Sequence, residues 1–158
     1  MIELFEYRKQ LIDRFEKAAK EFRAACLAVK NPFAPLEADG WNVHQVAVHT
    51  RDVDKLVYGL RVRRTLEEAN PMFPNFDGDT YMAAHYDPKE SLHDVLDGLV
   101  SSVETLAKTL RGLPEEAWSR ESRHETRGGG LTLQIWVERG LAHLQEHLSA
   151  VQAVNNNQ

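Results

Sequence analysis

Residues 92–110 read LHDVLDGLVSSVETLAKTL. Leu92, Val95, Leu96, Leu99, Val103, Leu106 and Leu110 recur one, three or four residues apart, the apolar stripe of an amphipathic helix. The segment carries start and stop signals. Asp87-Pro88-Lys89-Glu90 offers an N-cap, a proline at the first helical position and a carboxylate in the first turn. Gly112-Leu113-Pro114 ends it. A helix with one buried stripe needs partners, and three other segments of the chain supply them.

Working outward, the first helix is expected over about residues 2–29, with Phe5, Ile12, Phe15, Ala19, Phe22, Cys26 and Val29 facing inward. Asn31-Pro32-Phe33-Ala34-Pro35 breaks it, and an extended run reaches Gly40. The second helix begins at Asn42, whose side chain can cap it while Gln45 completes a capping box. Trp41 and Val46 are spaced as a hydrophobic staple across that cap. Val46, Val53, Val57 and Leu60 continue its stripe. Residues 70–79 form a long connector rich in Pro, Phe and Gly, of the kind that often covers a site. A polar connector ending in Gly128-Gly129-Gly130 holds no G-x-G-x-x-G fingerprint. The fourth helix is expected over about residues 132–151, with Trp136, Val137, Gly140, Leu144, Leu148 and Val151 inward. No segment alternates with the period-two pattern of a strand. The expectation is an all-α, four-helix bundle forming a single domain over residues 1–158.

Composition narrows the function. The net charge of -5 disfavours a nucleic-acid backbone or an anionic membrane as partner. Arg61, Arg63 and Arg64, the densest basic group, read as a solvated helix face. The one cysteine, Cys26, permits no internal disulfide and lies on the first stripe, so it reads as a small core residue. No secretory signal or membrane-length apolar run is present, and a cytoplasmic location is expected.

The histidines carry the chemistry. His143 and His147 are four residues apart, so their imidazoles stack on one helical face, on the apolar side of the last helix. His49 projects within about 60° of the second helix's stripe. Three such imidazoles can hold one divalent metal ion and leave a coordination position open. The competing reading is three core histidines bonded to backbone or carboxylates. His44, His85, His93 and His124 lie off the stripes or in connectors and read as surface residues. His143-Leu144-Gln145-Glu146-His147 also matches the H-x-x-E-H pattern of inverzincin proteases, but the chain offers no other protease signature. Glu146 is an acid/base candidate beside the site.

Three segments resemble the DinB/YfiT-like superfamily of metalloenzymes: Trp41-Asn42-Val43-His44-Gln45-Val46-Ala47-Val48-His49, Leu131-Thr132-Leu133-Gln134-Ile135-Trp136, and His143-Leu144-Gln145-Glu146-His147-Leu148. With the helix order, the resemblance covers nearly the whole chain. It implies an up-down-down-up bundle, a metal site at His49, His143 and His147, and often a homodimer. The family frequently has a histidine where this chain has Glu146. Relatives include mycothiol-dependent maleylpyruvate isomerases and bacillithiol transferases, so the resemblance implies a low-molecular-weight thiol co-substrate and a small-molecule substrate. The leading expectation is therefore a metal-dependent, thiol S-transferase-like enzyme using zinc or nickel. A metal-dependent hydrolase and a non-catalytic ligand-binding or dimerisation bundle are the alternatives. Asp52 is a candidate carboxylate behind His49, and Tyr81, Met82 and Tyr86 are candidates for the entrance, although a surface charge for the first and ordinary packing for the others are the simpler accounts.

Overall fold

Four long helical segments close on one apolar core because each buries a single stripe. The computed structural model describes residues 2–37 and 40–157. Helix α1 spans Ile2–Ala28. Helix α2 (Val43–Val53), a π-helical turn (Asp54–Tyr58) and helix α3 (Gly59–Glu67) run head to tail as the second long helix. After a short helix α4 (Gly78–His85), α5 (Leu92–Arg111) and α6 (Leu133–Asn156) complete the bundle. Phe22, Cys26, Leu96, Leu99 and Trp136 are fully buried at its centre. Phe22, Leu96 and Leu99 each contribute about 1.5–3 kcal/mol by leaving water. The extended run expected to reach Gly40 passes through residues 38 and 39, which lie outside the described residues. On either side of them, Pro35 and Asn42 pair as an isolated antiparallel bridge.

Side-chain pairs fix the directions. Arg23 meets Asp97 while Arg111 meets Asp13, so α1 and α5 are antiparallel. Arg8 bonds Gln134 and Asn155 bonds the carbonyl of Ala25, so α1 and α6 are parallel. Arg51 reaches Glu90 and Asp54 reaches Ser102, so the second long helix runs parallel to α5. His49 meets His143, and Arg61 lies over Trp136, so it runs antiparallel to α6. The result is the up-down-down-up bundle. Its parallel neighbours require long crossovers, which is why the connectors are long.

Several local expectations are corrected. Helix α5 is capped by Ser91, whose side chain accepts from the N–H of Asp94. Asp87 instead closes a turn by accepting from the N–H of Lys89. Helix α6 continues to Asn156. The connectors also form a small sheet of β1 (Met72–Phe73), β2 (Glu121–His124) and β3 (Gly128–Thr132), ordered β1-β2-β3. Strand β1 pairs parallel to β2, and β2 pairs antiparallel to β3. In β2 the inward residues are Ser122 and His124, so the alternation exists but is invisible to a hydrophobic pattern. Gly128 and Gly130 have φ of 84° and 71°, left-handed conformations that suit glycine.

The π turn is the main departure from the sequence reading. The N–H of Gly59 bonds the carbonyl of Asp54, five residues back. In an uninterrupted α-helix, residues nine apart, such as His49 and Tyr58, lie about 180° apart. The turn absorbs one extra residue and reduces the difference to about 80°. Beyond it the inward positions become Arg61, Val62 and Thr65, while Leu60 is only half-buried. Arg61 is thus a buried residue and not part of a solvated face. A Cβ on Gly59 meets the Asp54 carbonyl oxygen at 2.6 Å, closer than packing allows. Gly59→Ala is therefore expected to destabilise the fold by about 1–3 kcal/mol in urea denaturation. Gly98→Ala, with only Arg51 Cδ at 3.8 Å, is the control and should be neutral or stabilising by up to about 1 kcal/mol.

Candidate metal centre

The N-terminus of α2 is held firmly, and that fixes His49. Asn42 accepts from the N–H of Gln45 at 2.8 Å, and the Gln45 side chain accepts from the N–H of Asn42 at 2.9 Å. Trp41, just before the cap, packs its indole on the His49 ring at 4.8 Å between centroids. Two turns along α2, His49 projects towards α6. Gly78, the first residue of α4, closes over the ring: a Cβ there would lie 3.1 Å from His49 Cε1.

On α6, His143 and His147 stack one turn apart, with ring centroids 4.5 Å apart. Tyr58, turned inward by the π turn, packs against the His143 ring at 5.7 Å. Gly140, one turn earlier, makes room for this packing. A Cβ on it would lie 3.1 Å from the Phe15 ring and 3.2 Å from Tyr58 Cβ.

The three imidazoles converge. His143 Nε2 lies 3.2 Å from His49 Nε2 and 3.0 Å from His147 Nε2. One ligand nitrogen from each of the three lies within 4.8 Å of the others, and all three residues are half-buried. Imidazoles about a tetrahedral zinc ion place their nitrogens roughly 3.3 Å apart, given metal–nitrogen bonds of about 2.0–2.1 Å. The donor set therefore fits a divalent transition metal. It fits neutral imidazoles alone poorly, because His143 Nε2 can carry one proton and satisfy only one of its two neighbours.

Electrostatics point the same way. Burial, with the neighbouring His147, holds the His49 pKa down at about 4. Burial, with His147 and His49, holds His143 at about 3. Burial also lowers His147, while Glu146 opposes it. The site thus keeps its imidazoles in the neutral form that binds metals.

The other candidates fall elsewhere. Glu146 is exposed beside the cluster, and its charge reaches both His147 and Tyr58. Asp52 is paired with Arg51 at 3.0 Å. Met82 is buried in the core, Tyr81 stacks on His85, and Tyr86 bonds His44. Gly78 is the residue of that connector that meets His49. His85 and His93 are exposed, as expected.

His44 and His124 are buried, contrary to expectation. The Glu90 carbonyl can only accept, so His44 Nε2 donates to it at 2.7 Å and Nδ1 accepts from the Tyr86 hydroxyl at 2.6 Å. Phe33 stacks on its other side, and the ring ties two connectors to the start of α2. His124 is the second inward residue of β2, and its Nδ1 accepts from the N–H of Thr126. Sequence reasoning missed Tyr58 and Arg61 because both depend on the phase shift at the π turn.

The model of the DinB superfamily matches residues 9–151. No protein of curated function matches the chain in sequence. Among solved structures, the fold is similar to YfiT from Bacillus subtilis, with a TM-score of 0.87 and 19% identity over 96% of this chain and 87% of that one. YfiT is described as "a probable metal-dependent hydrolase with an unusual four-helix bundle topology". At that identity the likeness speaks for the fold alone.

The depressed histidines have a measurable consequence. An unfolded histidine takes up a proton near pH 6.5, whereas His49 and His143 do so only near pH 4 and 3 in the fold. The unfolded chain binds more protons in that window, so these residues make the metal-free fold less stable as pH falls from about 6.5 towards 4. Asp54, raised by burial to about 6, acts in the opposite direction. Comparison with His143→Leu separates the two. Between pH 7 and 5, chelator-treated wild type should lose roughly 1–2 kcal/mol more in urea denaturation than this variant. Equal losses contradict the assignment.

Proposed function

The chain belongs to the DinB superfamily, and from that premise we propose that it is a divalent-metal-dependent enzyme acting on a small molecule. His49, His143 and His147 are its metal ligands, and the observation that carries this reading is the convergence of their ring nitrogens within 4.8 Å. A divalent ion held by neutral imidazoles keeps its positive charge and supplies Lewis-acid activation, lowering the pKa of a water or thiol that binds it. Zinc and nickel both suit three imidazoles.

The protein residues have separable tasks. Trp41 and Tyr58 pack against the imidazoles and hold their orientation. Glu146, exposed one turn after His143 on α6, is the group able to take a proton from an attacking water or thiol. Cys26 supplies no nucleophile: it is fully buried in the core, and burial pushes its pKa up to about 12.

Two reactions follow from this arrangement. Metal-assisted hydrolysis is supported by the exposed carboxylate beside the ligands and by the description given to YfiT. Thiol transfer to an electrophile is supported by the resemblance of the site segments to thiol-using relatives. Because Cys26 is sealed in the core, the sulfur would come from a low-molecular-weight thiol.

Protein purified without an affinity tag should carry about one equivalent of a transition metal, and His143→Ala should carry less than roughly a tenth, since the ligands create the site. Metal-free wild type would contradict the reading. Glu146→Gln should retain the metal and lose about 100-fold or more in turnover, the range of a general base. Turnover of a hydrolysable substrate without added thiol selects hydrolysis. Conjugation that requires bacillithiol, mycothiol or glutathione and disappears on chelation selects transfer.

A further inference from the structure

Among the described residues two arginines are buried, and their surroundings differ. Arg8, 8% exposed, pairs with Glu115 at 2.6 Å and bonds Gln134 at 2.9 Å. Arg61, 7% exposed, has no carboxylate partner among the described residues. Its guanidinium lies 4.6 Å over the Trp136 ring and 5.8 Å from that of Phe73, and donates one hydrogen bond, to the Pro74 carbonyl at 3.2 Å. A guanidinium carries five N–H donors, and a buried charge is ordinarily paired.

A second cation acts on the same residues. Arg127, exposed in the turn between β2 and β3, adds its positive charge to the field at Arg61, Tyr58 and His124. Neither arginine forms an ion pair with a carboxylate among the described residues, and like charges acting on each other favour an external anion. The Tyr58 hydroxyl, which makes no hydrogen bond among the described residues, lies in the field of both arginines and, more weakly, of Glu146, while its ring packs on His143.

We propose that Arg61, Arg127 and Tyr58 form an oxyanion subsite that holds a carboxylate or phosphate group of the substrate while its reacting end lies at the three histidines. This rests on the histidines being the reaction centre. Trp136, which underlies Arg61, precedes His143 by two helical turns, about 10 Å along α6. The substrate class is therefore a small molecule whose anionic group lies within about 10 Å of its reacting atom. The planar guanidinium of Arg61 can grip such a group through two parallel hydrogen bonds, with Tyr58 donating a third.

The test titrates 15N-labelled protein with potassium phosphate and with sodium succinate at constant ionic strength, following the Trp136 indole and Arg61 side-chain signals. Saturable shifts with either probe are expected in wild type and in His143→Ala, weakened at least tenfold in Arg127→Ala, whose exposed side chain makes unfolding no explanation. Arg61→Gln should lose binding as well. Absence of saturation, wild-type affinity in Arg127→Ala, or binding lost in His143→Ala overturns the subsite; the last outcome assigns the anion to the histidines. Anion binding at the arginines in a protein that purifies without metal would instead sink the reaction centre and leave the subsite standing, so the two failures are distinguishable.

Discussion

Three imidazole nitrogens held within 4.8 Å of one another, half-buried and with no carboxylate bonded to them among the described residues, cannot satisfy one another. A proton on any one serves one neighbour and leaves the third lone pair facing another. A cation at their focus removes the conflict. The local structure is arranged to hold them in this geometry. Trp41 braces His49, Gly78 closes over it without a side chain, and Gly140 lets Tyr58 approach His143. A capping box fixes the start of α2, and the antiparallel packing of the second long helix on α6 sets the distance between the two histidine-bearing faces. Most of the site's geometry follows from that one helix pair.

Much of this was legible in the sequence, for physical reasons. The stripe of α5 and the i, i+4 pair His143 and His147 follow from helical periodicity alone. The Asn42–Gln45 capping box is a local interaction and occurs as its spacing predicts. The approach of His49 to the pair on α6 is a tertiary contact. Periodicity put it on an inward face and left a shared metal and three separate core histidines as equal readings; the resemblance to the superfamily favoured the first.

What periodicity missed has particular causes. The π turn between Asp54 and Tyr58 leaves no mark in an apolar pattern, yet it moves every later residue of that helix by about one position. Arg61 thereby enters the interior, and Tyr58 meets His143. In the sequence His44 and His124 look like surface residues because neither follows a stripe. Their burial depends on connectors folding back: Phe33 and the Glu90 carbonyl cover His44, and the small sheet turns His124 inward. That sheet escaped notice because the inward positions of β2 are occupied by Ser122 and His124, polar residues whose burial is supported by hydrogen bonds.

The central claim is that His49, His143 and His147 share one metal ion. Diffraction from crystals of untagged protein, collected on either side of a transition-metal absorption edge, tests it most directly. The account predicts a single anomalous peak about 2.0–2.2 Å from the Nε2 atoms of all three residues. A peak located elsewhere, or three histidines closed on one another with no anomalous density, would contradict it.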